Sequence, residues 1–226
     1  MRPQKIARIT TYIMSAAALL ILVFKPIYAH AEEEDMTYTS ILKFSAGIIA
    51  AFSIHEGGHA LVGWMTNTDM DWRWGDINQP LKFTEDADSD AKGAAINAAG
   101  LISQAIGGEV ILRAEKIDQN DAFVRGMMAW NILNPIMYAM DYWFFHKTNS
   151  NDGDTYEGDL AGVERYTNTP TAHGFALCMA GIAAFQANRF LQTQSWAPDW
   201  LKTKSRYVNF RPLPSGGMAM TCNIPF

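Results

Sequence analysis

Cysteine is scarce in this 226-residue chain: there are two, Cys178 in an apolar segment and Cys222 near the C-terminus. Two thiols support neither a disulfide framework nor a thiolate metal cluster, so any bound metal must be held by nitrogen and oxygen. Basic charge is also short. Eighteen Lys and Arg face 23 Asp and Glu, for a formal net charge of -5 and a pI near 5.5. Such a chain offers no cationic face to phosphate, which excludes nucleic acid as a partner. Internal repeats and low-complexity tracts are absent, and the length suits one fold with a sizeable core. Charged residues make up only 18% and hydrophobic ones 49%. The mean hydropathy of -0.07 is nevertheless low for a chain with many membrane spans.

What is present begins with a basic and then apolar N-terminus. Arg2, Lys5 and Arg8 precede "YIMSAAALLILVF", and "KPIYAHA" ends in the small-x-small pattern Ala29-His30-Ala31. This predicts a secretory signal peptide over residues 1–31, followed at once by the acidic cluster Glu32 to Asp35. The alternative is an uncleaved anchor helix, although Lys25 and Pro26 interrupt the run before the roughly 20 residues a span requires. Either way the chain is expected to be exported, at a bacterial-type inner membrane or on its periplasmic side.

Four further segments read as apolar helices: Ile41 to Met65, Gly93 to Leu112, Phe123 to Phe145 and Ala172 to Leu191. Their many small residues suit close helix packing in a bilayer, and also a tight soluble bundle. The basic residues gather in the C-terminal tail, which a simple four-span arrangement would place outside, so the topology stays open. Between the helices, Asn67 to Asp90 reads as a loop with a short hairpin, and its Trp72 and Trp74 suit either lipid headgroups or a peptide. Lys147 to Pro170 opens with turn chemistry and then starts a helix at Asp159. The expected fold is mostly α: about four apolar, membrane-embedded helices after a signal peptide, with a short β-containing loop and tail. Residues 32–194 form the helical domain and 195–226 an irregular extension.

The stretch "SIHEGGHALVGW" carries the chemistry. On a helix, His55 and His59 lie about 40° apart and one turn from each other, so both imidazoles reach a single ion. Glu56 points to a neighbouring angle, where it can act as general base on a metal-activated water. Two histidines and a glutamate in an apolar helix are costly unless paired or metallated. Gly57 and Gly58 each cost a helix interior roughly 1 kcal/mol relative to alanine. A close approach by another helix or by a substrate backbone is the expected compensation.

"HEGGHAL" resembles the His-Glu-x-Gly-His-Ala of membrane zinc proteases, notably the site-2 protease family and the zinc protease domain of AAA-linked membrane proteases. "NAAGLISQ" (Asn97 to Gln104) is similar to the Ala-Gly-Pro-x-x-Asn helix of site-2 proteases, with Leu101 in place of the proline. "NILNPIMYAMD" (Asn131 to Asp141) is similar to the segment whose aspartate is that family's third zinc ligand, with different spacing and no following glycine. These matches cover about 40 residues. They imply a Zn2+-dependent metalloprotease acting on a peptide or membrane-protein substrate in or at a lipid bilayer.

A catalytic zinc site needs a third protein ligand. Asp141 ends a polar stripe with Asn131, Asn134 and Tyr138, whereas Asp159 opens a helix in "GDLAGVERY" beside an acidic, glycine-rich loop. That Asp-Leu start looks like the one supplying the third ligand in the AAA-linked proteases. Asp159 is preferred over Asp141, with Glu109 more remote, and an ordinary N-cap is the bland account of Asp159. His146 and His173 read as an interfacial and a helix-start histidine. Two rival functions stand beside the membrane protease: a non-hydrolytic metal-binding membrane accessory protein, and a soluble exported zinc peptidase.

Overall fold

The computed structural model describes residues 38–72, 81–83, 87–146, 158–197, 208–212 and 218–222. Residues 1–31, expected to form a signal peptide, Trp74 and the acidic stretch 147–157 lie outside the described residues. The chain is mostly helical. Helix α1 spans Tyr38–Met65, α2 Asp90–Arg113, α3 Ala122–Asp141, α4 Asp159–Tyr166 and α5 Thr169–Thr193. Two antiparallel hairpins complete it: β1 (Met70–Trp72) with β2 (Leu81–Phe83), and β3 (Val208–Pro212) with β4 (Met218–Cys222). The expected hairpin after the first helix and the β-containing tail are both present.

Local chemistry fixes the helix ends. At the end of α1, Asn67 takes the left-handed conformation (φ 55°). The Asn67 amide then donates to the Trp64 carbonyl (3.1 Å) and that of Thr68 to Gly63 (2.9 Å), which satisfies carbonyls the helix leaves open. Ser89 caps α2 through its hydroxyl. Asp121 caps α3 by accepting from the Phe123 amide (2.8 Å) and pairs with Lys43 of α1 (2.9 Å). That ammonium and the amide hold the Asp121 carboxyl below its ordinary range. Asn168 caps α5 by accepting from the Thr171 amide (2.9 Å), with Pro170 in the first turn, where its missing N–H costs nothing. Inside α3, Pro135 cannot return a hydrogen bond to the Asn131 carbonyl. The helix runs on into a π-helical turn, Tyr142–His146.

The helices meet through small residues. A Cβ at Gly47 would collide with the Phe123 carbonyl, and one at Gly126 with the Phe44 carbonyl, so α1 and α3 cross backbone to backbone. Leu101 of α2, Ala139 of α3, Tyr142 just after it, Leu160 and Val163 of α4, and Ala176 of α5 share one buried core cluster. A second, smaller cluster joins Ile111, Met128 and Phe190 at the other end of α2. Outward faces are apolar as well: Ile106 and Val110 on α2, Leu177 on α5, and Ile49, Leu61 and Trp64 on α1 each expose more than half of their surface. Among the described residues, α2 and α5 are long and apolar enough to cross a membrane.

Candidate metal centre

His55 and His59 sit on successive turns of α1, both buried, as their spacing predicts. Their Nε2 atoms face each other at 3.2 Å. Asp159, also buried, turns one oxygen to each ring: Oδ2 lies 3.2 Å from His55 Nε2 and Oδ1 lies 3.3 Å from His59 Nε2. A tetrahedral ion with ligand bonds of about 2.0–2.1 Å spaces its ligands about 3.3–3.4 Å apart. The edge between the two imidazoles agrees with that figure, and each carboxylate oxygen stands at the same range from one ring. Among the described residues, this is the one His, Cys, Asp and Glu group of three or more that could hold a metal ion.

The two rings are oriented from behind. His59 Nδ1 lies 2.6 Å from the Ile96 carbonyl oxygen, and His55 Nδ1 lies 3.0 Å from Gln104 Oε1. Both partners only accept, so each Nδ1 carries the proton and donates it, which turns a lone pair on each Nε2 toward the other. Asn134 also donates to Gln104 Oε1 (2.8 Å), and the Tyr138 ring stacks on His55 at 5.9 Å. Two imidazole lone pairs and a carboxylate therefore converge on one point. Only an added proton or a cation reconciles three acceptors at this range. Asp159 Oδ2 has no hydrogen-bond partner among the described residues. Nitrogen and carboxylate donors in this number suit a divalent first-row metal.

Packing brings the ligands together. A Cβ at Gly100 would strike His59 Nε2 and lie 2.6 Å from His55 Nε2, so α2 passes directly over the imidazole pair. Gly58 makes the same kind of approach to Ala99 and Ser103, whereas Gly57 has nothing within 4 Å. Helix packing therefore accounts for Gly58 and not for Gly57. Helix α4 seats on the first half of α2, with Gly162 against the Asn97 side chain and Tyr166 against Gly93. Gly158 takes the cap position, and Asp159 is the first helical residue with its carboxylate turned to the histidines. The N-cap account of Asp159 is accordingly replaced.

Glu56 is buried beside the group without joining it, its Oε1 4.0 Å from His55 Nε2. Asp141 is buried at the end of α3 with interactions of its own and lies outside the ligand group. Glu109 is likewise apart, held by Arg189 (2.7 Å) and Arg113 (2.5 Å). His173 sits near the start of α5, edge-on to Tyr142, and His146 ends the π-helical turn. Gln104 closes the stretch similar to the Ala-Gly-Pro-x-x-Asn helix, at the position of its Asn, which was the signal for it. A backbone carbonyl such as that of Ile96 leaves none in the sequence. Comparisons of the chain with known protein families, with curated proteins and with solved structures find no match.

Proposed function

We propose that this chain is a membrane-embedded zinc peptidase. The observation that carries the reading is the convergence of His55 Nε2, His59 Nε2 and the Asp159 carboxylate in one buried group that could hold a metal ion, with Glu56 just outside it. Three ligands leave a fourth position for substrate or water, the pattern of catalytic rather than structural zinc. Zinc held there supplies a Lewis acid that polarises a peptide carbonyl and acidifies water toward a pKa of about 7. Gln104 Oε1 and the Ile96 carbonyl accept from Nδ1 of His55 and His59, which directs the Nε2 of each ring to the site where zinc would bind. Glu56 accepts the proton of the attacking water and passes it to the departing amine nitrogen, so that one carboxylate serves as base and then as acid. Burial of Glu56 strengthens its field on the reacting atoms.

The resemblance of "HEGGHAL" to membrane zinc proteases supports the same chemistry. The apolar outward faces of α2 and α5 support a bilayer setting. Purified full-length protein is expected to carry one zinc per chain. Glu56→Gln is expected to keep that zinc and lose hydrolysis of a quenched peptide by about 100-fold or more, the scale of a lost general base. Wild-type protein that takes up no zinc after supplementation overturns the proposal.

A further inference from the structure

Behind the metal centre, three amide side chains from three helices are almost wholly buried: Gln104 of α2, Asn131 of α3 and Gln186 of α5, each at 2% exposure or less. Four of their polar atoms, Gln104 Nε2, Asn131 Nδ2, Asn131 Oδ1 and Gln186 Oε1, have no hydrogen-bond partner among the described residues. Native folds rarely leave buried amides in that condition, and water is the usual remedy.

The three amides gather along consecutive turns of one helix. Gln186 Nε2 donates to the Ala105 carbonyl (2.7 Å), and its Oε1 fills the space a Cβ at Gly108 would take. Asn131 Nδ2 would lie 3.7 Å from a Cβ at Gly107. Two adjacent glycines on α2 thus make room where the other two helices bring in amides, one turn from Gln104. Pro135 denies the Asn131 carbonyl its helical N–H and adds a backbone acceptor on the same turn. The far side is closed by the Ile111, Met128 and Phe190 cluster.

The unpartnered set consists of two amide NH2 groups and two amide oxygens. An ion of either sign would leave half of it unpaired, whereas water donates and accepts in equal number. We propose that Gln104, Asn131 and Gln186 form an internal water site, and that the water held there keeps His55 aligned for the metal. Gln104 is the link. Its Oε1 already accepts from His55 Nδ1 and Asn134 Nδ2, while its Nε2 end is unanchored. Water on Nε2 locks the amide against a half-turn that would offer an NH2 group to His55 Nδ1 and reverse the ring's tautomer.

The alignment role rests on the zinc reading above, whereas the water site does not. The test uses full-length, 15N-labelled protein in detergent micelles, and looks for nuclear Overhauser transfer from long-lived water to side-chain amides. Signals from Asn131 and Gln186, assigned by their loss in Asn131→Leu and Gln186→Met, are expected to show that transfer. No transfer at either amide overturns the site. Chelator competition then reads the alignment. Both variants are expected to bind zinc about 10-fold more weakly, the lower range for loss of an outer partner of a ligand. Ile106→Leu, on an exposed face, is expected to bind as wild type does. If Asn131→Leu does not fold, Gln186→Met carries the measurement. Unchanged affinity in the folded variants overturns the alignment role even where water is seen, and absence of zinc from the wild type overturns the metal reading alone.

Discussion

Asp159 and Asp141 are both buried carboxylates, yet only Asp159 faces the imidazole pair. Asp159→Ala is therefore expected to weaken metal binding by more than the roughly 10–100-fold that loss of an outer partner costs. Asp141→Ala is expected to leave uptake stoichiometric, and metal analysis of both purified variants checks the pair. The glycines give a second contrast. Gly100→Ala puts a methyl group onto both Nε2 atoms, and is expected to cost about 1–3 kcal/mol in thermal unfolding and to lose the metal. Gly57→Ala meets nothing within 4 Å and gains helix propensity, so it is expected to stabilise by roughly 1 kcal/mol. The histidine pair was legible because helical periodicity alone sets the angle between residues four apart. Gly100 was not, because what an absent side chain admits is decided by the helix that crosses it.

Among the elements, α4 is eight residues long and holds its place through burial rather than length. Leu160, fully buried in the main core cluster, is its anchor next to the aspartate. Leu160→Ala is expected to cost about 2–5 kcal/mol and to lower metal affinity without touching a ligand. Chelator competition together with thermal unfolding separates the two effects. The four long helices were visible as apolar runs: each begins one to three residues before its expected start, and α3 gives way to the π-helical turn four residues before its expected end at Phe145. The stripe of Asn131, Asn134, Tyr138 and Asp141 on α3 was visible too. Periodicity gave its face but not its depth: Asn134 reaches Gln104, Tyr138 covers His55, and Asp141 falls outside the ligand group.

For the whole molecule, the apolar outer faces of α1, α2 and α5 set the expected behaviour in solution. The protein is expected to stay in the membrane pellet after alkaline carbonate extraction and to need detergent for solubility. Release into the soluble fraction would favour the exported, bilayer-free peptidase. The candidate ligands also have a consequence for assembly. Two of them come from one turn of α1, and the third arrives 100 residues later, from His59 to Asp159, on the shortest helix. An ion at that point would act as a reversible staple between α1 and α4, so occupancy would report that the short helix has docked. If the proposed peptidase reading holds, the cutting centre would be absent until α4 has folded against α1 and α2, which keeps the nascent chain inactive over its first 158 residues.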